Sequence, residues 1–247
     1  MAKKLAVRII IGLTFMSCIY GSLHAQRKEE SKMALTIKQQ SIVPIAVYTA
    51  VGNLQKLKTA LSEGLDAGLT ITEIKEVIVH LYAYCGFPRS FRGLQTFMDV
   101  LDERKANGIK NETGIDATPI NDKRSKYERG KENLEKLVGM PLNDQQIGYA
   151  AFAPIIEIFL KEHLFADIFE RDVLTFAERE LVTISVLSCI GGVEPMLHSH
   201  LAICLNVGFT TQQLSEFISI IKSTLGIKEA ENVQTVLDGV IANMQSQ

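Results

Sequence analysis

Cysteine is scarce in this 247-residue chain, four residues in all, and no two stand in a Cys-x-x-Cys spacing. A disulfide framework is therefore not indicated. With Cys18 set aside in the N-terminal segment, Cys85, Cys189 and Cys204 remain, each in an apolar or Gly-flanked context that reads as a small buried hydrophobe. Long basic runs are also missing. The largest is Lys123-Arg124-Ser125-Lys126, the formal net charge is −2, and nucleic acid or an anionic membrane surface is excluded as a partner; the patch reads as a solvated helix start. His198-x-His200 with Glu194 nearby has no third His or Cys to complete a zinc set, so no metal and no other cofactor is expected.

No apolar run reaches the roughly 20 residues that span a bilayer. The longest, from Ile9 to about Tyr20, follows Lys3, Lys4 and Arg8 and precedes Leu23-His24-Ala25. That order predicts a secretory signal peptide over residues 1–25 and a periplasmic or secreted mature protein, with no membrane contact after cleavage. Phe15-Met16-Ser17 before Cys18 makes a poor lipid-attachment signal. Loss of Lys3, Lys4 and Arg8, with no acidic residue among the first 25, moves the formal charge from −2 to −5.

What the chain does have is internal repetition. A shift of 140 positions superimposes Gly52 on Gly192, Leu57 on Leu197, Leu61 on Leu201, Gly68 on Gly208, Thr70 on Thr210, Glu76 on Glu216 and Gly86 on Gly226 without a gap. The reading is a first repeat over 26–110, a linker and connecting helices over 111–175, and a second repeat over 176–247. Each repeat alone would bury too little surface, so the two are expected to share one compact domain.

The patterning inside the repeats is helical. The apolar stretch Leu181 to Cys189 resembles a strand by β-branching, but a helical lead-in from Phe176 makes it a buried helix of about 14 residues, stopped at Gly191-Gly192. Leu197, Leu201, Cys204 and Leu205 then share one face, with Gly208 as a left-handed cap. Thr70-Ile-Thr-Glu73 and Thr210-Thr-Gln-Gln213 are capping boxes. The helix after Thr70 is predicted to break at Cys85-Gly86-Phe87-Pro88; last helices are expected over Phe91–Arg104 and Ala230–Met244. Residues 106–127 read as a polar surface linker, and Phe152–Phe169 as a helical pair interrupted near His163.

These residues resemble the carboxymuconolactone decarboxylase family and its alkylhydroperoxidase D-like relatives. The resemblance rests on Gly68-Leu-Thr-x-x-Glu73-Ile-x-Glu76-Val-Ile-x-His80-Leu-x-Ala-Tyr84-Cys-Gly86-Phe87-Pro88. It continues through Tyr127-Glu-Arg129-Gly130, Phe165-Ala-Asp167-Ile-Phe-x-Arg171-x-x-Leu174, Arg179-Glu180-Leu-Val-Thr183, Gly191-Gly192, His200 and Asn206-x-Gly208. It implies an all-α, internally duplicated helical bundle that assembles into homo-trimers or homo-hexamers, with small-molecule sites between helices.

The family's thiol branch carries Cys-x-x-Cys-x-x-x-His; counting back from His200 puts Val193 and Met196 at the cysteine places, so that nucleophile is absent. The same pattern begun at Cys85 meets Pro88 and Arg92. The decarboxylase branch needs no cysteine. Loss of CO₂ from a carboxylated lactone leaves an enolate, and a His beside an apolar wall can hold and return the proton. The resemblance makes His200 the catalytic residue and Glu180 its partner; a first-turn Glu favoured by the helix dipole is the structural alternative. Glu76, His80, Tyr84, Cys85 and His198 are the candidate substrate-binding residues. Three functions follow as expectations: a cofactor-independent carboxy-lyase, a thiol peroxidase using Cys85, and a binding module without chemistry, which Ala60 in the place of His200 would suit.

Overall fold

The computed structural model describes residues 34–143 and 145–246; the expected signal peptide lies outside them. The helices are α1 (Ile37–Val51), α2 (Leu54–Asp66), α3 (Ile71–Ala106), α4 (Lys126–Val138), α5 (Gly148–Phe152) and α6 (Pro154–Phe159). A π-helical segment, Leu160–Ile168, follows, and then α7 (Phe176–Ile190), α8 (Glu194–Asn206), α9 (Thr211–Thr224) and α10 (Ile227–Gln245). No strand occurs among the described residues, and the fold is all-α as expected.

Five of these helices start on the same local chemistry. Thr36, Thr70, Ser125, Thr175 and Thr210 each accept from the amide three residues on, and Gln39, Glu73, Glu128, Glu178 and Gln213 reach back to the cap residue's own amide. Two otherwise orphaned donors are satisfied at each start. The starts of α2 and α8, and of α3 and α9, lie 140 residues apart, at Leu54 and Glu194 and at Ile71 and Thr211.

One break falls where the sequence places it and one does not. The span α3, Ile71 to Ala106, is two helices joined across a kink at Gly86, inside the expected Cys85–Pro88 break; the Gly86 φ of 78° and ψ of 162° leave the helical region, and Gly tolerates this for want of a Cβ. In the connecting segment the interruption falls at Ala153, not at His163. Pro154 disfavours helical backbone in the residue before it, and Ala153 adopts φ −136° and ψ 76°, whereas His163 sits within the π-helical turn.

α1 and α7 pack on each other at the centre, with α3 against both, α8 and α10 on α7, and α9 against α1 and α10. Every residue from Leu181 to Ser188 is buried, the mark of a helix surrounded on all sides. One core cluster joins apolar residues of α1–α3 to those of α7–α10. A smaller cluster, Leu137, Phe165, Phe169 and Ile203, seats α4 and the π-helical segment. α4 approaches that segment closely at Gly130, where a Cβ would lie 1.8 Å from the carbonyl oxygen of Lys161. The linker after α3 folds back over the surface, its Glu112 and Thr113 carbonyls accepting from the Ile71 and Thr72 amides.

Candidate functional site

The site is assembled where α3 runs beside α7 and α8 follows. Glu76, His80 and Tyr84 are spaced by four, which puts them on one face of α3. That face turns inward: Glu76 is 4 % exposed and His80 fully buried. The three side chains form a buried polar row.

Arg179 is the residue that makes this row tolerable. It is fully buried, and its Nη2 donates to Glu76 Oε2 at 3.1 Å and to the Arg171 carbonyl at 2.5 Å. Arg171 grips the same Glu76 carboxylate from the surface side, through Nη2 at 2.6 Å and Nε at 2.9 Å. One buried carboxylate thus sits between two guanidiniums, which compensates the desolvation of all three groups.

The donor inventory then fixes a proton arrangement. Arg179 Nη1 lies 3.4 Å from His80 Nδ1, and a guanidinium can only donate, so Nδ1 accepts and the neutral ring carries its hydrogen on Nε2. That N–H donates to Thr183 Oγ1 at 3.0 Å. The Thr183 hydroxyl shares its own hydrogen between the Arg179 carbonyl at 3.0 Å and the Tyr84 hydroxyl at 3.1 Å. Burial, reinforced by the charge of Arg179, holds His80 neutral, with its pKa well below the usual value. Burial next to Glu180 pushes the Tyr84 phenol up, so it stays protonated. The His80 ring stacks on Tyr84 with centroids 5.4 Å apart and rests against Phe169.

Glu180 follows Arg179 on α7 and is fully buried, while His200 comes from the middle of α8 and keeps 15 % of its side chain exposed. His200 Nδ1 is 2.7 Å from Glu180 Oε2. The ring donates there, which leaves Nε2 as the free nitrogen at the exposed edge. Glu180 Oε1 is buried with no hydrogen-bond partner. The Glu180 carboxylate thus fixes the ring through Nδ1, and Nε2 is the nitrogen left to exchange a proton with a bound molecule.

Two candidates stand apart. His198 lies about 200° round the helix from His200, two residues at 100° each, and is 3.2 Å from Asn243 Nδ2 on α10; it does not join the substrate-binding group in which the sequence reading placed it. Cys85 is next to Tyr84, but its Sγ donates to the Leu81 carbonyl at 3.2 Å and burial raises its thiol to about 11. Burial raises the Cys189 thiol to about 12 and places that of Cys204 well above its usual value. Among the described residues no group of three or more His, Cys, Asp and Glu is placed to hold a metal ion.

Arg171, Arg179 and Thr183 were not singled out as site residues from the sequence. A signal was present: Arg179 lies near the N-terminus of α7, where the helix dipole disfavours a cation. An arginine there calls for an acidic partner, and Arg179 and Thr183 repeat the spacing of Glu76 and His80.

Residues 157–238 match the model of the carboxymuconolactone decarboxylase family. The match supports that family; it spans α7, α8 and α9 with most of α10 and includes Glu180 and His200, whereas Glu76, His80 and Tyr84 lie outside it. No curated protein matches the chain.

Proposed function

We propose that the protein is a cofactor-independent carboxy-lyase of the carboxymuconolactone decarboxylase type, acting on a small carboxylated lactone or oxo-acid. The observation that carries this reading is the pair of His200 Nδ1 and buried Glu180 Oε2 at 2.7 Å, which leaves one imidazole nitrogen to exchange a proton with a bound molecule. In the reaction the bond between the ring carbon and the carboxylate breaks and CO₂ departs. Its electron pair passes into the adjoining enolate, and His200, having taken a proton from water at Nε2, delivers that proton to carbon. Glu180 positions the ring and stabilises the imidazolium. Tyr84, kept protonated, is suited to donate to the enolate oxygen, with His80 and Thr183 fixing its orientation.

The thiol reading is disfavoured by the raised, half-buried thiol of Cys85 and by Val193 and Met196 at the cysteine places of the family's redox pattern. The 140-residue recurrence of helix starts supports an internal duplication. Residues 1–25 are proposed to direct export, and the substrate of an exported copy is expected to differ from that of a cytoplasmic ring-cleavage route. Self-association into a trimer or hexamer is supported by the apolar side chains that α5 and α6 leave uncovered, Phe152 at 93 % and Phe159 at 57 % exposed.

The test is loss of 4-carboxymuconolactone, followed by ultraviolet absorbance, for the wild type and for His200→Ala. Turnover by the wild type with a loss of 10²-fold or more in the variant, in the range of general acid–base contributions, is the expected result. Full activity in the variant would overturn the assignment of His200.

A further inference from the structure

A depression of about 400 Å³ lies between α1, α2 and α9. Its lining includes Tyr48, Lys56, Ala60, Glu63, Ile220 and Thr224. Moved by 140 positions, towards the C-terminus for the first four and towards the N-terminus for the last two, these become Ser188, Met196, His200, Ile203, His80 and Tyr84. The depression is the counterpart of the candidate active site in the other half of the chain. Its lining stands on the structure alone; the correspondence accounts for its presence.

The exchanges have a direction. His200, His80 and Tyr84, the groups that could move or donate a proton, are replaced by Ala60, Ile220 and Thr224, and the Thr224 hydroxyl is turned to the Ile220 carbonyl at 2.7 Å. Chemistry is removed, and the truncation at Ala60 opens space over an apolar floor. In place of Met196 stands Lys56, whose Nζ lies 5.5 Å from the centroid of the Tyr48 ring. A cation held on an aromatic face is partly pre-positioned for an anion. Glu63 lies on the same helix two turns on, about 10 Å along the axis, so a second negative charge at that end is opposed.

We propose that this depression is a second, non-catalytic binding site for a small monocarboxylate with a flat apolar body. The carboxylate pairs with Lys56, and the body lies on Tyr48, Ala60 and Ile220. Beside this apolar floor the lining carries Thr59, Ser223 and Thr224 with Lys56 and Glu63; an apolar surface with a few placed polar groups is the usual make-up of a small-ligand site.

Benzoate titrated into the full-length mature protein, followed by ¹H–¹⁵N spectra, tests this. Benzoate is expected to shift the amides of Lys56, Ala60, Ile220 and Thr224 with a Kd of about 1–10 mM, as befits so small a ligand. Uncharged benzamide and the dicarboxylate terephthalate should bind at least 10-fold more weakly. Lys56→Met, at an exposed position that folding tolerates, should weaken benzoate at least 10-fold; Ala60→Leu should block it by filling the floor, and His200→Ala should leave it unchanged. The proposal is overturned by unaltered benzoate affinity in Lys56→Met, by shifts confined to the surroundings of His200, or by the absence of saturable shifts below about 50 mM.

Discussion

Replacing Arg179 by Met keeps an unbranched apolar stem of similar length and removes the guanidinium from the centre of the buried row. The change deletes charge-assisted bonds to Glu76 Oε2 and to the Arg171 carbonyl, worth about 1.5–3 kcal/mol each. Glu76 is not stranded, because Arg171 keeps its own contacts to it, so the cost falls short of the ~3–5 kcal/mol of an uncompensated buried charge plus two lost bonds. Relief of the desolvation of Arg179, whose Nε has no partner, offsets a further part. A net destabilisation of about 3 kcal/mol follows, seen as a fall in the urea midpoint at unchanged slope, or as a drop in Tm of about 6–12 °C at roughly 2–4 °C per kcal/mol for a chain of this size. The double variant with Glu76→Gln should show a coupling of at least about 1 kcal/mol, as expected for residues sharing one network. The ¹⁵N shifts of the His80 ring report the same event, since without Arg179 nothing on that side requires Nδ1 to accept. A loss below about 1 kcal/mol with no coupling would show that the buried row does not stabilise the fold and would refute the reasoning.

Gly130→Ala sets a Cβ 1.8 Å from a backbone oxygen, so α4 and the π-helical segment must part. Destabilisation of at least about 3 kcal/mol in chemical unfolding is expected, at the upper end of overpacking costs. His80 has a folded pKa below its unfolded value of 6.5. The unfolded chain therefore binds the proton first as pH falls below about 6.5, and stability drops by up to about 1.4 kcal/mol per pH unit until the folded pKa is reached. His80→Gln should remove that part of the slope between pH 6.5 and 5, measured by urea unfolding at each pH. With a thiol near 11, Cys85 is a thiolate to only about 1 part in 10³ or less at pH 7.5, so native alkylation by iodoacetamide should be slower than for an unperturbed thiol by two orders of magnitude or more. Rapid labelling at that pH, read by mass spectrometry, would restore the thiol reading.

The local signals in the sequence translated directly into structure. The Thr70 and Thr210 boxes open α3 and α9, Gly86 bends α3, and the apolar run from Leu181 to Ser188 is a helix buried on every side. Each of these rests on neighbours within about four residues, the range over which a capping side chain or a glycine acts. The break at Ala153 obeys the same local rule, since Pro154 disfavours helical backbone in the residue before it, whereas the polar His163 places no such constraint on the chain.

The pairing of His200 with Glu180 came from the order of motifs, but its length, its burial and the bare Oε1 came from packing. The row from Arg171 through Glu76, Arg179, His80 and Thr183 to Tyr84 joins residues about 100 positions apart, and no periodicity along one helix can say which face of α3 meets which face of α7. Sequence alone determined the helices, their starts and stops, and the residue types able to carry a proton. Tertiary structure decided which of those residues meet, which of them lose water, and that His198 turns away, because contact across helices depends on how their apolar faces bury one another.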